Sequence, residues 1–390
     1  MILDKLFQLM AEKQASDIFI SAGTPIHIKI QGNTMPVNQQ TMLPDMIEKI
    51  AYELMSPEQT KAFEATMEMN LSFGVAQIGN FRINIFRQRG SISIVVRFIL
   101  GNIPQLTSLD LPPVLGDLIM EKRGLVLIVG ATGSGKSTTI ASMLDHRNSN
   151  RAGHILTIED PIEFLFSNKK SVANQRDVGR DTHSLQVGLR NALRQAPDCI
   201  LIGEIRDRET MTSAISYALS GHLVLATLHA NNSYHALGRI LSFYSPEARP
   251  ALLADLAAGL RAVISQRLLR ANAGGRVAAV EVLLNTVLVA ELIEQGDIAG
   301  VKEAMEKSLA EGSQTFEADI ARLITEGVVS RDEGMAHSDS PTNLIWRLHN
   351  DTGPVSKAAP AQEEQDGATF TDITLDVLPP DSRAVPLTPR

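Results

Sequence analysis

The chain contains 390 residues with a formal net charge of −8, and 44% of them are hydrophobic but only 4% are aromatic. The acidic balance and the few aromatic side chains argue against nucleic acid as the substrate, because nucleic-acid sites need basic patches and stacking partners. The single cysteine, Cys199, excludes an intrachain disulfide and a cysteine-rich zinc module, and it fits a reducing compartment.

The apolar content suffices for the cores of two domains, and the first predicted domain spans residues 1–100. Apolar residues in MILDKLFQLMAEKQ recur near one helical face, which predicts an amphipathic helix and not a secretory signal. The next predicted elements are strands in DIFISAG and IHIKIQG, a helical stretch over 44–69, and a hairpin in FRINIFRQRGSISIVVRFI. Residues 101–113, with three prolines, are predicted to be a linker.

From residue 114 to residue 350, short apolar runs alternate with helical stretches. The runs LVLIV (125–129), ILTIE (155–159), CILIG (199–203) and LVLAT (223–227) predict strands of a sheet that helices cover on both faces. Residues 251–269 and 286–329 are predicted to be largely helical. Residues 351–390, rich in proline, acidic and small residues, are predicted to be a disordered tail. The chain lacks a run of about 18 apolar residues, so no membrane-spanning helix is expected.

The most informative stretch is LVLIVGATGSGKST, residues 125–138, which fits G-x-x-x-x-G-K-[ST] between a predicted strand and a predicted helix. In this pattern the glycines let backbone N–H groups surround a polyphosphate, the lysine reaches the outer phosphates, and the serine hydroxyl ligates Mg²⁺. A plain glycine-rich turn is the alternative, and the flanking strand and helix disfavour it. The predicted nucleotide-binding residues are Gly130, Ala131, Thr132, Gly133, Ser134, Gly135, Lys136, Ser137 and Thr138.

Carboxylates follow two of the predicted strands. Glu204 follows CILIG, where P-loop proteins place an acid beside Mg²⁺, so Ser137 and Glu204 are the predicted metal ligands. The alternative is that Glu204 is only a solvent-exposed acidic residue at the end of a strand. In IEDPIE, residues 158–163, one of three carboxylates could act as general base on the attacking water. A charged, solvated loop explains IEDPIE equally well on its chemistry alone.

Histidines bracket the strand of residues 223–228. An imidazole at a strand end, at His222 or His229, could hydrogen-bond a γ-phosphate and report its presence. The usual alternative for such histidines is a structural role. Zinc binding is disfavoured because nearby carboxylate and thiol ligands are not evident. Arginines often complete a nucleotide site at a subunit boundary, although most are surface charges. The candidates are Arg82, Arg87, Arg89, Arg97, Arg176, Arg190, Arg194, Arg206, Arg208 and Arg239.

Taken together, the ordered motifs of this chain resemble the type IV pilus retraction ATPases, the PilT/PilU branch of the secretion-type ATPase superfamily. The motifs are FRINIFRQRG, GATGSGKSTT, ILTIEDPIEF, NQRDVG, LRNALRQAPDCILIGEIRDRETM and GHLVLATLHANN. The resemblance implies an α/β fold with a small PAS-like N-terminal domain and a RecA-like P-loop ATPase domain, residues 114–350, that carries C-terminal helices. It also implies a homohexameric ring with ATP held between the two domains and near the next subunit.

The resemblance further implies roles for single residues and the cofactors ATP and Mg²⁺. Lys136 and Ser137 would hold the phosphates and Mg²⁺, and Glu204 would be the Walker B acid on the metal side. Glu163, in the motif ILTIEDPIEF that the family calls its Asp box, would activate the water. ATP turnover would shift the domains and drive pilin subunits out of the fibre into the inner membrane.

The resemblance assigns weaker roles to two further groups of residues. In GHLVLATLHANN, the family's His box, His222 and His229 would sense the phosphate. In the first domain, Arg82 and Arg97 match arginines that could reach the nucleotide across an interface.

The chain departs from the better-known retraction motor at several positions, and these departures indicate which group of the PilT/PilU branch it resembles. That motor carries A-I-R-N-L-I-R-E, whereas this chain has VLVAELIEQG, with Ala290 and Glu294 where the two arginines would be. This departure argues against autonomous retraction. The segments LRQAPD, TLHANN, SQTFEADIARL and DSPTNLIWRL look closer to the PilU group, an accessory motor that works with the principal one. Assembly and secretion ATPases usually carry a four-cysteine zinc module, which Cys199 alone cannot form.

Three functional hypotheses follow. The leading one is an ATP-hydrolysing, hexameric accessory motor for pilus retraction, in the cytoplasm at the inner membrane, with the principal retraction ATPase and a platform protein as partners. The alternative is an interaction subunit that uses nucleotide to set ring shape or docking, and whose own hydrolysis is dispensable. A nucleic-acid translocase would suit a RecA-like core, but the acidic charge and scarce aromatics disfavour it, so no nucleic-acid partner is expected.

Overall fold

The computed structural model describes residues 2–30, 32–75, 78–99, 103–307 and 310–350. These residues form two compact units, one up to residue 99 and one from residue 103 onward. Each unit has its own sheet and its own apolar core. The predicted tail, residues 351–390, lies outside the described residues.

The first unit is a sheet with helices packed against it. Its strands run antiparallel to their neighbours in the order β3-β2-β1-β6-β5-β4. The strands are β1 Asp17–Ile20, β2 Pro25–Ile30, β3 Asn33–Thr41, β4 Glu68–Val75, β5 Gly79–Gln88 and β6 Ser91–Ile99. The helices are α1 Ile2–Glu12, α2 Pro44–Leu54 and α3 Pro57–Thr66.

Local sequence explains the two elements predicted with the clearest patterns in this unit. In α1 the apolar residues at helical spacing, Leu3, Leu6 and Met10, are buried in the core, as the amphipathic pattern predicts. The predicted hairpin is confirmed as β5 and β6, whose register pairs residues 88 and 91. Arg89 and Gly90 form the turn with φ of 48° and 77°, the positive values that a two-residue hairpin turn requires.

The second unit is a larger sheet covered by helices. Its strand order is β13-β12-β7-β11-β10-β8-β9. The strands are β7 Gly124–Val129, β8 Gly153–Glu159, β9 Ser171–Asp177, β10 Cys199–Ile202, β11 Leu223–Leu228, β12 Leu260–Arg270 and β13 Arg276–Leu284. The helices are α4 Val114–Met120, α5 Lys136–Asn150, α6 Leu185–Ala192, α7 Arg208–Leu219, α8 Ser233–Ser242, α9 Arg249–Gly259, α10 Val287–Gln295, α11 Ile298–Lys307, α12 Phe316–Thr325, α13 Arg331–His337 and α14 Pro341–Asn350.

Helices cover both faces of this sheet, as the fully apolar strands predict. Along β7, Leu125 and Leu127 pack into the core that contains residues of α6 to α11. The alternate residues Val126 and Ile128 pack into a second core with residues of α4 and α5. Successive side chains of a strand point to opposite faces, so both faces are buried and the predicted α/β fold class is confirmed.

Strand direction brings the chemically interesting segments to one edge. β7, β11, β10 and β8 are parallel to their neighbours, so their carboxyl ends lie on the same side of the sheet. We call this side the P-loop edge, and it consists of the segments that follow these strands: 130–136, 229–232, 203–206 and 160–163. Ligand sites of open parallel sheets lie outside such carboxyl ends.

The prediction of a helix over residues 251–269 is wrong in its second half. α9 ends at Gly259, and Leu260 begins the strand β12, which pairs with β7 on one side and β13 on the other. Residues 262–264 of this strand are fully buried. A short apolar run suits a buried helix or a buried strand equally, and here strand pairing decides between them.

The sequence analysis also did not predict the strands β3, β4, β9 and β13. β9, SVANQRD, is the outermost strand of its sheet, where polar side chains meet solvent. In the first unit, β3 was not predicted, and β4 begins at Glu68 inside the stretch predicted as helix over 44–69. No helix among the described residues is long and apolar enough to cross a membrane.

Candidate functional site

The loop between β7 and α5 is held open by glycines. Gly133 and Gly135 have φ of 80° and 90°, the left-handed region that glycine adopts without strain. A Cβ at Gly130 would lie 2.5 Å from the backbone O of Gln266, and one at Gly135 would lie 2.7 Å from its Nε2. A Cβ at either position would therefore clash with Gln266, which explains glycine there, and the loop leads into the start of α5, where backbone N–H groups favour an anion.

Lys136 opens α5 and folds back over the loop. Its Nζ donates to the carbonyl oxygens of Gly130 at 2.9 Å and Ala131 at 2.8 Å. Burial lowers the pKa of Lys136 below its ordinary value, and the carboxylates of Glu204 and Glu163 act in the opposite direction. Because Glu204 and Glu163 follow β10 and β8, they lie at the P-loop edge together with Lys136, and their roles stay predictions.

Gln266 is a site residue that the sequence analysis missed. It lies on β12, is 3% exposed, and contacts the loop at both Gly130 and Gly135. Its Oε1 accepts a hydrogen bond of 2.8 Å from Thr139 Oγ1 in the first turns of α5. The side chain therefore connects the loop to the helix that follows it. The prediction of helix over 251–269 hid this residue, since only strand β12 brings it beside β7.

Glu204 connects two segments of the P-loop edge. Its Oε1 lies 3.1 Å from Nε2 of His229, which follows β11, and its Oε2 accepts from Arg206 Nε at 2.5 Å. A guanidinium nitrogen of Arg206 also lies 4.0 Å from a carboxylate oxygen of Asp160. The Glu204 side chain is 21% exposed, so the carboxylate is accessible beside the loop while its neighbours restrict it.

Glu159, at the end of β8, holds the segment that carries Glu163. Its carboxylate accepts from Thr157 Oγ1 at 2.6 Å, from Gln175 Nε2 at 3.4 Å and from the backbone N–H of Glu163. Gln175 also donates to the carbonyl of Phe164 at 2.8 Å. These contacts fix the backbone on both sides of Glu163, whose own side chain is exposed at the P-loop edge.

Burial raises the pKa of Glu159 to about 7 from an ordinary 4.5, assisted by the charge of Glu163 and opposed by the hydrogen bonds from Thr157 and Gln175. Because the pKa of Glu159 is higher in the folded than in the unfolded chain, its protonated carboxyl group favours folding. This contribution is complete below pH 4.5 and is lost as the pH rises to about 7. We therefore expect Glu159→Gln to gain stability relative to the wild type between pH 4.5 and 8, by up to roughly 3 kcal/mol.

Urea unfolding of both proteins across that pH range measures this difference. The exposed Glu121→Gln is the control, and its difference from the wild type should stay flat. A Glu159→Gln difference that does not change with pH would contradict a raised pKa at this carboxyl.

The structure separates the two histidines that were predicted together. β11 is parallel to β7 with Leu223 beside Gly124 and Leu228 beside Val129, so His222 precedes the strand and lies at the opposite edge from the P-loop. A strand of six residues spans about 20 Å. The His222 ring instead lies near Tyr217 O and Ser220 Oγ. Within one chain, only His229 of the pair reaches the P-loop edge, and phosphate sensing by His222 stays a prediction.

Arg82 and Arg97 lie side by side on the first unit. They are register partners on β5 and β6, and Arg97 Nε donates to Asp17 Oδ1 on β1 at 2.9 Å. The Arg97 side chain is 68% exposed despite this pair. Their action on a nucleotide across an interface stays a prediction.

A pocket of about 300 Å³ opens beside the first residues of the P-loop. Its charged and polar lining comes from the segment after β11 and from α8, and it includes Arg239, one of the candidate arginines. The lining residues are Gly130, Ala131, His229, Ala230, Asn231, His235 and Arg239. The pocket shows that space is available next to the loop on the side of His229.

The described part of the chain contains no cluster of three or more acidic, histidine or cysteine residues that would hold a metal unaided. Ser137, in the first turn of α5, and Glu204, which acts electrostatically on its neighbour Lys136, are the residues that could hold Mg²⁺. Such a donor set suits a cation that nucleotide phosphates and water also ligate, as Mg²⁺ usually is in phosphoryl-transfer sites.

Known proteins resemble this chain over most of its length. The family model described as type II/IV secretion system protein matches residues 1–336. The chain is 44% identical over 345 residues to the type IV pilus ATPase PilU of Pseudomonas aeruginosa, covering 88% of this chain and 90% of that protein. It is 37% identical over 344 residues to the type IV pilus retraction ATPase PilT of that species, covering 88% and 100% of the two chains.

Among solved structures, the pilus retraction motor PilT with bound ADP matches with a TM-score of 0.82 and 38% sequence identity. This match covers 88% of the present chain and 98% of the solved one. The fold likeness therefore spans both the sheet of the first unit and the sheet that carries the P-loop.

Proposed function

The chain belongs to the type II/IV secretion system protein family, and we propose that it is an ATPase that assists type IV pilus retraction. Its reaction is the hydrolysis of ATP to ADP and phosphate. The single observation that carries this proposal is that Lys136, Glu204 and Glu163 lie on segments that follow the parallel strands β7, β10 and β8, at the P-loop edge. The 44% identity to a type IV pilus ATPase supports the biological role.

Each residue at this edge has a task that its position allows. The loop N–H groups and the start of α5 receive the phosphates, and Lys136 exchanges its bonds to the loop carbonyls for bonds to the outer phosphates. Glu163, on a backbone segment that Glu159 fixes, accepts a proton from the attacking water. His229, 3.1 Å from Glu204, is placed to respond when charge on the terminal phosphate changes.

Magnesium is the cofactor that the donor set fits. Ser137 and Glu204 would hold Mg²⁺, and the cation would offset the charge that develops on the phosphate oxygens. Neither residue lies in a cluster of three or more acidic, histidine or cysteine ligands within the described ranges, so the nucleotide itself would supply the remaining oxygen ligands.

We further propose the accessory form of this motor. Ala290 is partly buried and Glu294 is exposed on α10, at the positions where the principal motor has arginines. The chain would form a homohexamer, work with the principal retraction ATPase and an inner-membrane platform protein, and lie in the cytoplasm at the inner membrane. Arg82 and Arg97 would then approach the nucleotide from a neighbouring part of the ring.

The accessory proposal is tested in cells that contain the principal motor. A strain that lacks this chain is complemented with the wild type, with Glu204→Gln, or with Glu209→Gln, an exposed glutamate on α7 that serves as the matched control. We expect the wild type and Glu209→Gln to restore twitching motility and Glu204→Gln to leave it several-fold lower, measured as colony expansion.

The alternative function predicts a different result. If the chain is an interaction subunit whose hydrolysis is dispensable, Glu204→Gln restores motility as well as the wild type does. Immunoblots for equal protein levels exclude a trivial loss of the variant.

A further inference from the structure

The segment after β11, residues 229–232, is held from the C-terminal side of the second unit. Arg267 lies on β12, next to Gln266, and its Nη2 donates to the carbonyl oxygen of Asn231 at 3.2 Å. Asp339, which precedes α14, accepts from Arg267 Nη2 at 2.6 Å and from Asn232 Nδ2 at 2.9 Å. One carboxylate therefore bridges the arginine to the segment that begins with His229.

The same segment is also anchored from the core, at the start of α8. Glu281, on β13, accepts from the backbone N–H of Ser233 at 2.7 Å and from its hydroxyl at 2.6 Å. Asn232 caps α8 by accepting from the N–H of His235 at 3.0 Å. The downstream end of the segment is therefore fixed in the core, and Arg267 and Asp339 add contacts at Asn231 and Asn232.

The Arg267–Asp339 pair is better shielded than an ordinary surface ion pair. The side chains are 18% and 29% exposed, and the Arg267 guanidinium lies 4.0 Å from the ring centroid of Phe316 on α12. It also donates to the carbonyl of His337. A charge pair with several fixed partners restricts geometry more than an exposed pair does, so it is suited to position a backbone segment.

Resting on the function proposed above, we propose that Arg267 and Asp339 are positioning residues for ATP turnover, because they place the His229 segment against Glu204. The same contacts join nucleotide occupancy to the C-terminal helix α14, which begins two residues after Asp339. Because Asp339 contacts the segment and lies two residues before α14, we expect nucleotide at the P-loop also to change the surroundings of α14.

The chain carries its own reporter for this coupling. Trp346 is its single tryptophan, lies on α14, and is 66% exposed. Quenching of its fluorescence by acrylamide measures exposure of α14 with and without ADP, and this measurement needs no hydrolysis. It thus separates failure of the coupling from failure of the ATPase function.

The experiment compares the full-length wild type with Asp339→Asn and Arg267→Gln, with Asp339→Glu as the conservative variant. The exposed Asp332→Asn on α13 is the matched control. We expect Asp339→Asn and Arg267→Gln to lower kcat about tenfold while KM changes less than about threefold, the pattern of a lost positioning contact. ADP should change Trp346 quenching in the wild type, in Asp332→Asn and in Asp339→Glu, and at most weakly in the two disruptive variants.

Several outcomes overturn the proposal. If wild-type Trp346 does not respond to bound ADP, the coupling is absent even when turnover is normal. If Asp339→Asn and Arg267→Gln keep kcat within about twofold and keep the Trp346 response, the pair does not position the segment. If these variants then show only a lower melting temperature, the pair has a structural role alone. A wild type that binds ADP but shows no ATP turnover contradicts the ATPase function, whereas the Trp346 response still decides the coupling.

Discussion

Lys136→Ala is expected to reduce ATP turnover by about 100- to 1000-fold and to weaken nucleotide binding at the same time. The ammonium group of Lys136 lies at the loop with two carbonyl oxygens as partners, and two carboxylates favour its charge. On the proposed function, removal of this charge leaves the phosphates without the side chain that is proposed to reach them. Phosphate release at saturating Mg²⁺-ATP and calorimetric titration with ADP measure the two effects.

The matched control is Lys122→Ala, because Lys122 is an exposed lysine just before β7, at the edge opposite the P-loop. It should keep turnover within about twofold of the wild type. Circular dichroism of both variants checks that the fold is retained. Full turnover by folded Lys136→Ala would refute the assignment of the nucleotide site.

Glu204→Gln should separate binding from chemistry. The amide keeps the size of the side chain but loses the charge that would face Mg²⁺ and that holds His229 and Arg206 at 3.1 and 2.5 Å. We expect turnover to fall by about 100-fold or more, while affinity for ADP stays within about fivefold of the wild type. Steady-state kinetics across a Mg²⁺ titration and calorimetry with ADP measure this split.

Glu209→Gln on α7 is the control, since it removes one exposed carboxylate five positions away without touching the loop. Its kinetics should match those of the wild type. A Glu204→Gln protein that hydrolyses ATP at the wild-type rate, or that loses binding and turnover equally, would show that Glu204 does not act as the acid on the metal side.

The sequence correctly predicted those helices and strands whose hydrophobic pattern lies within one continuous stretch of residues. The hairpin of β5 and β6 and the helix α1 have their hydrophobic periodicity in one continuous stretch, and the strands β7, β8, β10 and β11 are short continuous apolar runs. The helix predicted through residue 269 failed because the run from Leu260 to Ile264 suits either element until β7 and β13 are present to pair with it.

The two histidines also show what a sequence pattern cannot decide about the candidate site. His222 and His229 look equivalent as flanks of one apolar run, yet a strand has two ends, and parallel pairing with β7 assigns only one end to the P-loop edge. Strand direction within a sheet is a property of long-range pairing, so the pattern of a single strand could not distinguish these two residues.

Phosphate binding by a P-loop uses consecutive backbone N–H groups, glycine conformations and the start of one helix. All of these are local, so the order of amino acids alone was enough to identify nucleotide binding here. Other contacts at the P-loop edge join residues that are far apart along the chain: Thr139 and Gln266 are 127 positions apart, and Arg267 and Asp339 are 72 apart. Their contacts depend on where β12 and the segment before α14 pack, and only the folded chain decides that.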